Sequence, residues 1–339
     1  MPGLTVAVTG ATGNLGTSVL QALSRDERVE SIVGVSRRTP SWRAPKTTFV
    51  AADIADDDLV PIFSTADVVI HLAWRFQPTR DPVSTWNTNV IGALAVLQAV
   101  HRAGVRKLVT ASSVGAYSPG PKSFPGVDED WPTNGWPGSA YTREKAYLEQ
   151  ALDAFECGRP DISVVRMRPA FLFKRSAADE QRRLFGGPLV PRQLLRRWLI
   201  PVLPDLPGLT MQAVHSLDVG RAFAEAAVRD VHGAFNIAAE PILTPDILAD
   251  FLSARLISLP TTVVRSVLAA LWRLHLVPTS PGLFDAVLRI PVMDSERART
   301  ELDWHPEFSA TEALAEFFEG NRSSSSVDTP PLAGNDVRL

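Results

Sequence analysis

The sequence predicts an α/β fold in which a doubly wound parallel sheet is accompanied by a smaller, mixed C-terminal domain. A short apolar run at Leu4–Val8 breaks into a glycine-rich turn and then into a helix-like segment. A continuous apolar run at Asp67–Ala73 is typical of a parallel strand that is covered on both faces. Strand-like and helix-like segments alternate up to Ala111, an order that specifies a right-handed, doubly wound sheet.

The elements of this sheet follow one another along the chain. The predicted strands are Leu4–Val8, Ser31–Ser36, Thr48–Ala52, Asp67–Ala73 and Lys107–Ala111. The predicted helices are Thr17–Ser24, a segment that starts at Asp56 and continues to Phe63, a segment from Thr88 to near Gly104, and a segment from Tyr141 through Phe155.

The whole chain has an ordinary globular composition. Its 339 residues, 45% of them hydrophobic, can bury a large core. A net charge of −3 and a pI near 6.1 provide no basic field, so we expect neither nucleic acid nor a membrane as partner. The single cysteine, Cys157, cannot form an internal disulfide, and the apolar stretch Val263–Val277 is too short for a bilayer. We therefore expect a cytoplasmic location.

The turn Thr9–Gly16 carries the spacing Gly-x-x-Gly-x-x-Gly directly after the first strand. Such a turn presents backbone N–H groups and the positive end of a helix to a ligand, which favours a pyrophosphate. Glycine is needed because a Cβ would hold the phosphates away. Glycine turns also simply connect strands to helices, but the position here favours a dinucleotide. The residues expected to contact it are Gly10, Thr12, Gly13, Asn14, Leu15 and Gly16.

Two arginines follow the second strand, where dinucleotide-binding folds select their cofactor. An acidic residue about 20 positions beyond the glycines receives the ribose 2′-hydroxyl of NAD, whereas arginine there accommodates a 2′-phosphate. This chain has Ser36 followed by Arg37 and Arg38, so we expect NADP, with NAD as the alternative. The arginines could also be solvated loop charges. Asp53, followed by Ile54, could reach the adenine amine or cap the next segment.

Candidate catalytic residues follow the fifth strand and open the next long helix. Ser112 and Ser113 lie at the carboxyl end of a strand, where such sheets hold ligands. Tyr141 and Lys145 are four residues apart, which places them on one face of a helix. A neighbouring ammonium and an oxidised nicotinamide ring both favour the phenolate of a tyrosine, so this pair suits proton transfer beside a bound dinucleotide. An isolated pair of this kind is more often a surface pair.

Together these motifs resemble the extended short-chain dehydrogenase/reductase family, which contains NAD(P)-dependent sugar epimerases and dehydratases and hydroxysteroid and dihydroflavonol-type reductases. The matching pieces in the first half are Thr9–Gly16, Asp53, His71–Ala73, Asn89 with Gly92, Ser113 four residues before Tyr117, Tyr141-x-x-x-Lys145 and Arg168-Pro169. Those in the second half are Val214–Val219, Phe235–Ala238 and Glu301–Pro306. The resemblance covers most of residues 4–318.

The resemblance implies an NAD(P)-dependent oxidoreductase that moves a hydride to or from a secondary alcohol or ketone, alone or as a step of epimerisation or dehydration. Ser113 would hold the substrate oxygen, Tyr141 would exchange its proton, and Lys145 would hold the nicotinamide ribose. Tyr141 and Lys145 thus also belong to the cofactor site, together with Leu72, Ala73, Asn89 and Pro169. A homodimer is implied through the helices that begin near Asn89 and Tyr141.

The same resemblance implies a domain layout. Residues 1–170 would form a Rossmann-type NAD(P)-binding domain, with later returns near 211–240, and residues 171–319 would mainly form a substrate-binding cap. Residues 320–339 are rich in Ser, Pro and Gly, which predicts a disordered tail.

The substrate is expected to be a small molecule of uncertain class. Ala170–Phe173 lacks the asparagine by which many sugar-nucleotide enzymes of the family hold their substrate. The region Leu184–Leu209 is apolar and permits a hydrophobic alcohol or ketone, while its Arg192, Arg196 and Arg197 either meet an anion or are solvated. In the loop Ser118–Ser139, Trp131 and Trp136 either wall a pocket or pin the loop to the surface.

Two other classes of chemistry are not supported. The six histidines have no metal-ligand spacing, and the serines lack the Gly-x-Ser-x-Gly turn of a hydrolase, so we expect no metal site and no hydrolase. The competing hypothesis is a catalytically silent dinucleotide-binding sensor or interaction protein that keeps the fold without turnover.

Overall fold

The computed structural model describes residues 3–77, 80–185, 200–323 and 327–332. Its strands are β1 (Leu4–Thr9), β2 (Val29–Ser36), β3 (Thr47–Ala51), β4 (Val68–His71), β5 (Lys107–Ala111), β6 (Ser163–Pro169), β7 (Phe171–Phe173), β8 (Val202–Asp205), β9 (Met211–His215), β10 (Gly233–Ile237), β11 (Ala239–Leu243) and β12 (Arg255–Ser258).

The helices of the first half surround the sheet: α1 (Asn14–Arg25), α2 (Val60–Phe63), α3 (Pro82–Trp86), α4 (Gly92–Arg102) and α5 (Ala140–Gly158), with a π-helical turn at Asn87–Ile91. The remaining helices are α6 (Ala178–Phe185), α7 (Ser216–Val228), α8 (Pro245–Leu252), α9 (Thr261–Arg273), α10 (Pro281–Val287), α11 (Glu296–Glu301) and α12 (Ala310–Ser323).

Within the described residues, seven parallel strands form the main sheet in the order β3-β2-β1-β4-β5-β6-β10. The order reverses between β1 and β4, where Thr9 pairs with His71 at the carboxyl ends. Open parallel sheets hold ligands at this switch point. A smaller mixed sheet, β11-β9-β7, and a parallel pair, β12-β8, lie beside the main sheet. The doubly wound fold with a smaller mixed part is therefore confirmed.

The core lies on both faces of the main sheet because the strands are apolar at successive positions. In β1, Val6 and Val8 join one hydrophobic cluster and Ala7 joins the other. The first cluster is covered by α1 and α7, and the second by α2, α4 and α5. Burial on both faces explains why β4 contains no polar residue before His71.

Element boundaries differ from the predictions by a few residues. The helix α1 begins at Asn14 rather than Thr17, whereas β5 has the predicted bounds. The segment predicted as a helix at Asp56–Phe63 is helical only from Val60. Helical structure begins before the predicted start at Thr88, because α3 and the π-helical turn lead directly into α4.

The prediction of a disordered tail at residues 320–339 is wrong for the two parts of it that the structure describes, residues 320–323 and 327–332. The helix α12 extends to Ser323. Residues 327–332 pack against the protein: Thr329 and Leu332 are buried, and the Asp328 carbonyl accepts a hydrogen bond from Trp42 N at 3.2 Å. Leu332 supplies an apolar anchor that composition alone did not reveal. Residues 324–326 and 333–339 lie outside the described residues.

No helix in the described parts of the chain has the length and apolar character needed to cross a bilayer.

Candidate active site

The glycine turn lies between β1 and α1 at the switch point of the sheet. Gly10 has φ +69°, and a Cβ on it would lie 2.7 Å from the backbone nitrogen of Ala73. A Cβ on Gly16 would overlap the Gly10 carbonyl. Gly13 is the N-cap of α1 and makes no side-chain capping hydrogen bond, and a Cβ on it would lie 3.6 Å from the Gly10 carbonyl oxygen, an ordinary contact. The bare amino end of α1 therefore fits a pyrophosphate.

The other turn residues are partly held by a lysine from the smaller part of the protein. Thr12 is buried, and Leu15 packs against the core. Lys174, just after β7, donates to the Asn14 carbonyl at 2.9 Å and to the hydroxyl groups of Thr17 and Ser18. Burial lowers the pKa of Lys174 to about 8, opposed by the charge of Glu180. No sequence pattern predicts this contact, since 160 residues separate its partners.

Arg37 and Arg38 follow β2 with exposed side chains. Among the described residues no hydrogen bond or ion pair engages their guanidinium groups. A local hydrogen bond stabilises the loop, because the Ser36 hydroxyl donates to the Arg38 carbonyl at 2.9 Å. Both guanidinium groups are therefore available to an anion.

Asp53 and Ile54 follow β3. The Asp53 carboxylate accepts from Ala55 N at 3.0 Å and so closes a local turn. Ile54 is buried and packs so closely against Gly92 that a Cβ there would lie 2.9 Å from its side chain. Contacts of these two residues with adenine stay a prediction.

The remaining residues expected at the cofactor lie along the same edge of the sheet. Leu72 N donates to the Thr9 carbonyl at 3.2 Å, and Ala73 lies against Gly10. The buried Asn89 amide donates to the Arg75 carbonyl and to Glu144, and accepts from Arg75 N at 2.6 Å. Asn89 thus holds the loop after β4, and a direct contact with a dinucleotide stays a prediction. Pro169 ends β6.

Ser113, Tyr141 and Lys145 come together where β5 ends and α5 begins. The Tyr141 hydroxyl donates to Ser113 Oγ at 2.8 Å, and Ser113 Oγ also accepts from Gly115 N at 3.0 Å. Gly115 makes room for the tyrosine, since a Cβ there would lie 2.8 Å from its ring. One turn further along α5, Lys145 Nζ donates to the Ala111 carbonyl at 2.7 Å.

Burial shifts the titration of both ionisable groups. Burial raises the pKa of Tyr141 to about 12, against the opposing hydrogen bond with Ser113. It lowers the pKa of Lys145 to about 7, although the carboxylates of Glu149 and Glu144 act in the other direction. The protein's own groups therefore do not lower the pKa of Tyr141, and the expected effect of an oxidised nicotinamide ring stays a prediction. The aromatic surroundings of Tyr141, which the phenolate would have to enter without water, account for the raised pKa.

Aromatic residues enclose Tyr141, and the sequence interpretation missed them. The Trp74 ring meets the Tyr141 ring edge-on with centroids 5.7 Å apart, and the Phe76 ring lies 5.1 Å from it. Lys145 Nζ lies 3.5 Å from the Trp74 ring centroid, a cation–π contact. The available signal was the pair of aromatic residues at the third and fifth positions after the end of β4.

A buried ion-pair network lies next to the site, between α5 and β6. Glu149 accepts from Arg168 Nε at 2.8 Å, from Arg168 Nη2 at 2.9 Å and from the Ser112 hydroxyl at 2.5 Å. Arg166 Nη1 lies 3.2 Å from the same carboxylate. Ser112 therefore serves this network, and Ser113 is the serine that faces Tyr141. The sequence interpretation also missed Glu149.

Other candidate residues lie elsewhere. Arg192, Arg196 and Arg197 fall outside the described residues. Trp131 donates to the Ser118 carbonyl at 3.3 Å, and Arg289 stacks 4.2 Å from the Trp136 ring centroid. These contacts fix the loop to itself and to Arg289, which favours the alternative that the two tryptophans pin the loop to the protein surface. No group of three or more His, Cys, Asp or Glu in the described ranges is arranged to hold a metal ion.

Comparisons with known proteins bear on the family and the fold of the chain. A family model described as "NAD dependent epimerase/dehydratase family" matches residues 6–238. A Mycobacterium tuberculosis protein described as uncharacterised is 26% identical over 336 residues, covering 95% of this chain and 85% of its own. The UDP-glucose 4-epimerase of Mycolicibacterium smegmatis is 31% identical over 179 residues, covering 49% of this chain and 55% of its own.

A solved structure extends the likeness to the whole fold. The UDP-N-acetylglucosamine 4-epimerase of Methanobrevibacter ruminantium, in complex with UDP-N-acetylmuramic acid, superposes with a TM-score of 0.70. The match covers 96% of this chain and 100% of that chain at 19% identity. At this identity the likeness shows the fold.

Proposed function

Because the chain belongs to the NAD-dependent epimerase/dehydratase family, we propose that it transfers a hydride between a nicotinamide dinucleotide and a secondary alcohol or ketone. The observation that carries the proposal is the 2.8 Å hydrogen bond from the Tyr141 hydroxyl to Ser113 Oγ. Two hydroxyl groups at this distance can hold one substrate oxygen between them. Both lie at the edge of the sheet that carries the glycine turn.

The cofactor would be held by the glycine turn at one end and by Lys145 at the other. Gly13 leaves the amino end of α1 bare, which suits the pyrophosphate. Family analogy assigns the nicotinamide ribose to Lys145, whose ammonium already donates to a carbonyl at the end of β5. When bound, the nicotinamide ring would accept or supply the hydride.

The protein's own part is positioning and proton transfer. Ser113 would donate a hydrogen bond to the substrate oxygen and fix it against Tyr141. In the reducing direction Tyr141 would give its proton to that oxygen, and in the oxidising direction it would remove the proton from the alcohol. A raised pKa keeps Tyr141 protonated at neutral pH, which suits proton donation to a ketone. Epimerisation or dehydration would begin with the oxidising step.

The cofactor is proposed to be NADP rather than NAD, because Arg37 and Arg38 are exposed at the end of β2 and no carboxylate is present there. Replacing both by alanine should weaken NADPH binding at least about tenfold and change NADH binding less than about threefold, since only NADPH carries the 2′-phosphate. Calorimetric titration measures both constants. Arg43→Ala, an exposed arginine in the same connection, is the control for general charge loss. Equal losses for both cofactors would mean that the arginines do not recognise the phosphate.

The protein is proposed to be a homodimer through α4, α5 and the turns that precede α4. Large apolar side chains on α3, on the π-helical turn before α4 and on α5 are exposed: Val83, Trp86, Ile91 and Tyr147. The rings of Trp86 and Tyr147 contact each other, with centroids 4.9 Å apart, and form one patch. Exposed apolar patches of this kind mark protein interfaces.

Sedimentation should therefore give a dimer for the wild type and a monomer for Ile91→Asp, because a buried unpaired carboxylate is costly at an interface. Val263→Asp, at an exposed valine of α9, should leave the dimer intact. A wild-type monomer would contradict this assembly.

The single cysteine, Cys157, is exposed and free, which suits the proposed cytoplasmic location.

A further inference from the structure

Lys174 is a buried lysine that contacts the first turns of α1 without a counter-ion. It follows β7 of the smaller mixed sheet and is 8% exposed. Its Nζ donates to the Asn14 carbonyl at 2.9 Å, to Thr17 Oγ1 at 2.8 Å and to Ser18 Oγ at 2.9 Å. All three acceptors are neutral, and within the described residues Lys174 forms no ion pair with a carboxylate.

These contacts place the ammonium near the amino end of α1. Gly13 is the N-cap, and Asn14 and Ser18 are the first and fifth residues of the helix. A helical rise of about 1.5 Å per residue places Ser18 about 8 Å along the axis from Gly13. The amino end of a helix carries a partial positive charge, so a cation there is unfavourable. Burial of an ammonium away from water is unfavourable as well. The protein therefore holds a positive charge in a place that disfavours one.

The charged groups around Lys174 do not neutralise it. The charge of Glu180 on α6 raises the pKa of Lys174, but burial raises the pKa of Glu180 itself to about 7, so that carboxyl is only partly ionised at neutral pH. Burial lowers the pKa of His215 on β9 to about 4, and the charges of Lys174 and Arg221 add to this effect. The other charged groups on the elements around this lysine have partners of their own: Arg175 with Glu319, Asp179 with Arg182 and Arg183, and Asp218 with Arg221.

An anion bound at the amino end of α1 would supply the missing counter-charge. A pyrophosphate suits this place, because Gly13 makes no side-chain capping hydrogen bond and the first N–H groups of a helix have no intrahelical partners. Resting on the proposed hydride transfer with a nicotinamide dinucleotide, we propose that Lys174 is a positioning residue for the cofactor, whose buried charge attracts the pyrophosphate across the first turns of α1. The segment after β7 thereby joins the smaller sheet to the cofactor site.

The first test is calorimetric titration of the full chain with NADPH and with NADH near neutral pH. Lys174→Gln keeps a polar side chain beside the hydroxyl groups of Thr17 and Ser18 but removes the charge, and Lys174→Met removes both. Each variant should bind NADPH and NADH at least about tenfold more weakly, and by the same factor, because both dinucleotides carry the pyrophosphate. Replacement of Arg37 and Arg38, by contrast, is expected to affect mainly NADPH.

Proton uptake on binding is a readout that a merely structural lysine would not change. Burial lowers the pKa of Lys174 to about 8, so at a pH of about 8 roughly half of the free protein carries the proton. A bound pyrophosphate raises this pKa, and binding should therefore take up as much as about half a proton more in the wild type than in either Lys174 variant. Binding enthalpies in buffers of different ionisation enthalpy measure this difference. Glu180→Gln should keep the uptake, and equal uptake in the wild type and the Lys174 variants would overturn the proposal.

Lys122→Met is the matched control. Burial also lowers the pKa of Lys122 to about 8, and its Nζ donates to two neutral acceptors, the carbonyls of Thr210 and Val287. Neither acceptor belongs to α1, so this variant should keep the wild-type affinity and proton uptake. Undiminished binding by Lys174→Gln, or a loss confined to NADPH, would overturn the role of Lys174. A wild-type chain that shows the lysine-dependent binding but transfers no hydride would contradict the proposed function alone.

Discussion

Replacing Tyr141 by phenylalanine is expected to lower hydride transfer by about 100- to 10,000-fold, the range that general acid–base catalysis contributes. The variant loses only the hydroxyl group that donates to Ser113 Oγ at 2.8 Å. Its ring still fits against Gly115 and the aromatic rings of Trp74 and Phe76. Dinucleotide binding, measured by calorimetry, should therefore stay within about twofold of the wild type.

Tyr147→Phe is the matched control, because Tyr147 lies on the same helix and the substitution keeps the ring that contacts Trp86 in the proposed dimer patch. This variant should keep its rate of hydride transfer. Unchanged turnover in Tyr141→Phe would rule out the proposed proton transfer. A wild-type chain that binds dinucleotide but neither oxidises nor reduces any sugar, steroid or aliphatic substrate would instead support the silent sensor.

Glu149→Gln is expected to lower the free energy of unfolding by about 3–5 kcal/mol, the usual loss when one partner of a buried ion pair is removed. The carboxylate of Glu149 is fully buried and receives both Nε and Nη2 of Arg168. An amide would leave Arg168 without its counter-charge and would turn an NH₂ group toward a guanidinium or toward Ser112. Urea unfolding monitored by circular dichroism measures the loss.

The control is Glu296→Gln, whose side chain is 65% exposed and lies 3.3 Å from Arg299. Exposed pairs of this kind contribute about 0–1 kcal/mol, so its unfolding should change little. A loss in Glu149→Gln no larger than in the control would contradict the stabilising role of the buried pair.

The effect of Glu149 should also depend on pH. Burial alone would raise the pKa of Glu149, but Arg168, Ser112 and Arg166 outweigh it and hold the pKa below its usual value. The folded protein thus binds the proton less well than the unfolded chain, and the stabilisation is present above the unfolded pKa. It is lost as the pH falls through the folded pKa. The difference between wild type and Glu149→Gln should therefore be largest near neutral pH and shrink in acid.

The main sheet could be predicted because its signals are local. Each strand of the first half is a short apolar run, and the turn Thr9–Gly16 carries its glycines at fixed spacing. The four-residue spacing of Tyr141 and Lys145 fixed their common helix face before any contact was known. That these two residues and Ser113 act as a catalytic set stays a prediction.

The surroundings of the site could not be predicted from the same signals. Trp74 and Phe76 belong to a loop whose path depends on Asn89 and Glu144. Lys174 reaches α1 across 160 residues, and Leu332 is buried although its segment has the composition of a disordered tail. The pKa of Tyr141 is raised, contrary to the expectation, because burial outweighs the hydrogen bond with Ser113.

The sequence by itself determined the parallel sheet, the glycine turn at its switch point and the positions of Ser113, Tyr141 and Lys145, because periodicity and short spacings act within a few residues. Only the tertiary structure decided what surrounds those groups: the aromatic rings of Trp74 and Phe76, the Glu149–Arg168 ion pair, and the contact of Lys174 with α1. The physical reason is that burial, and with it the pKa values and the polarity of a pocket, is set by residues far apart in the chain.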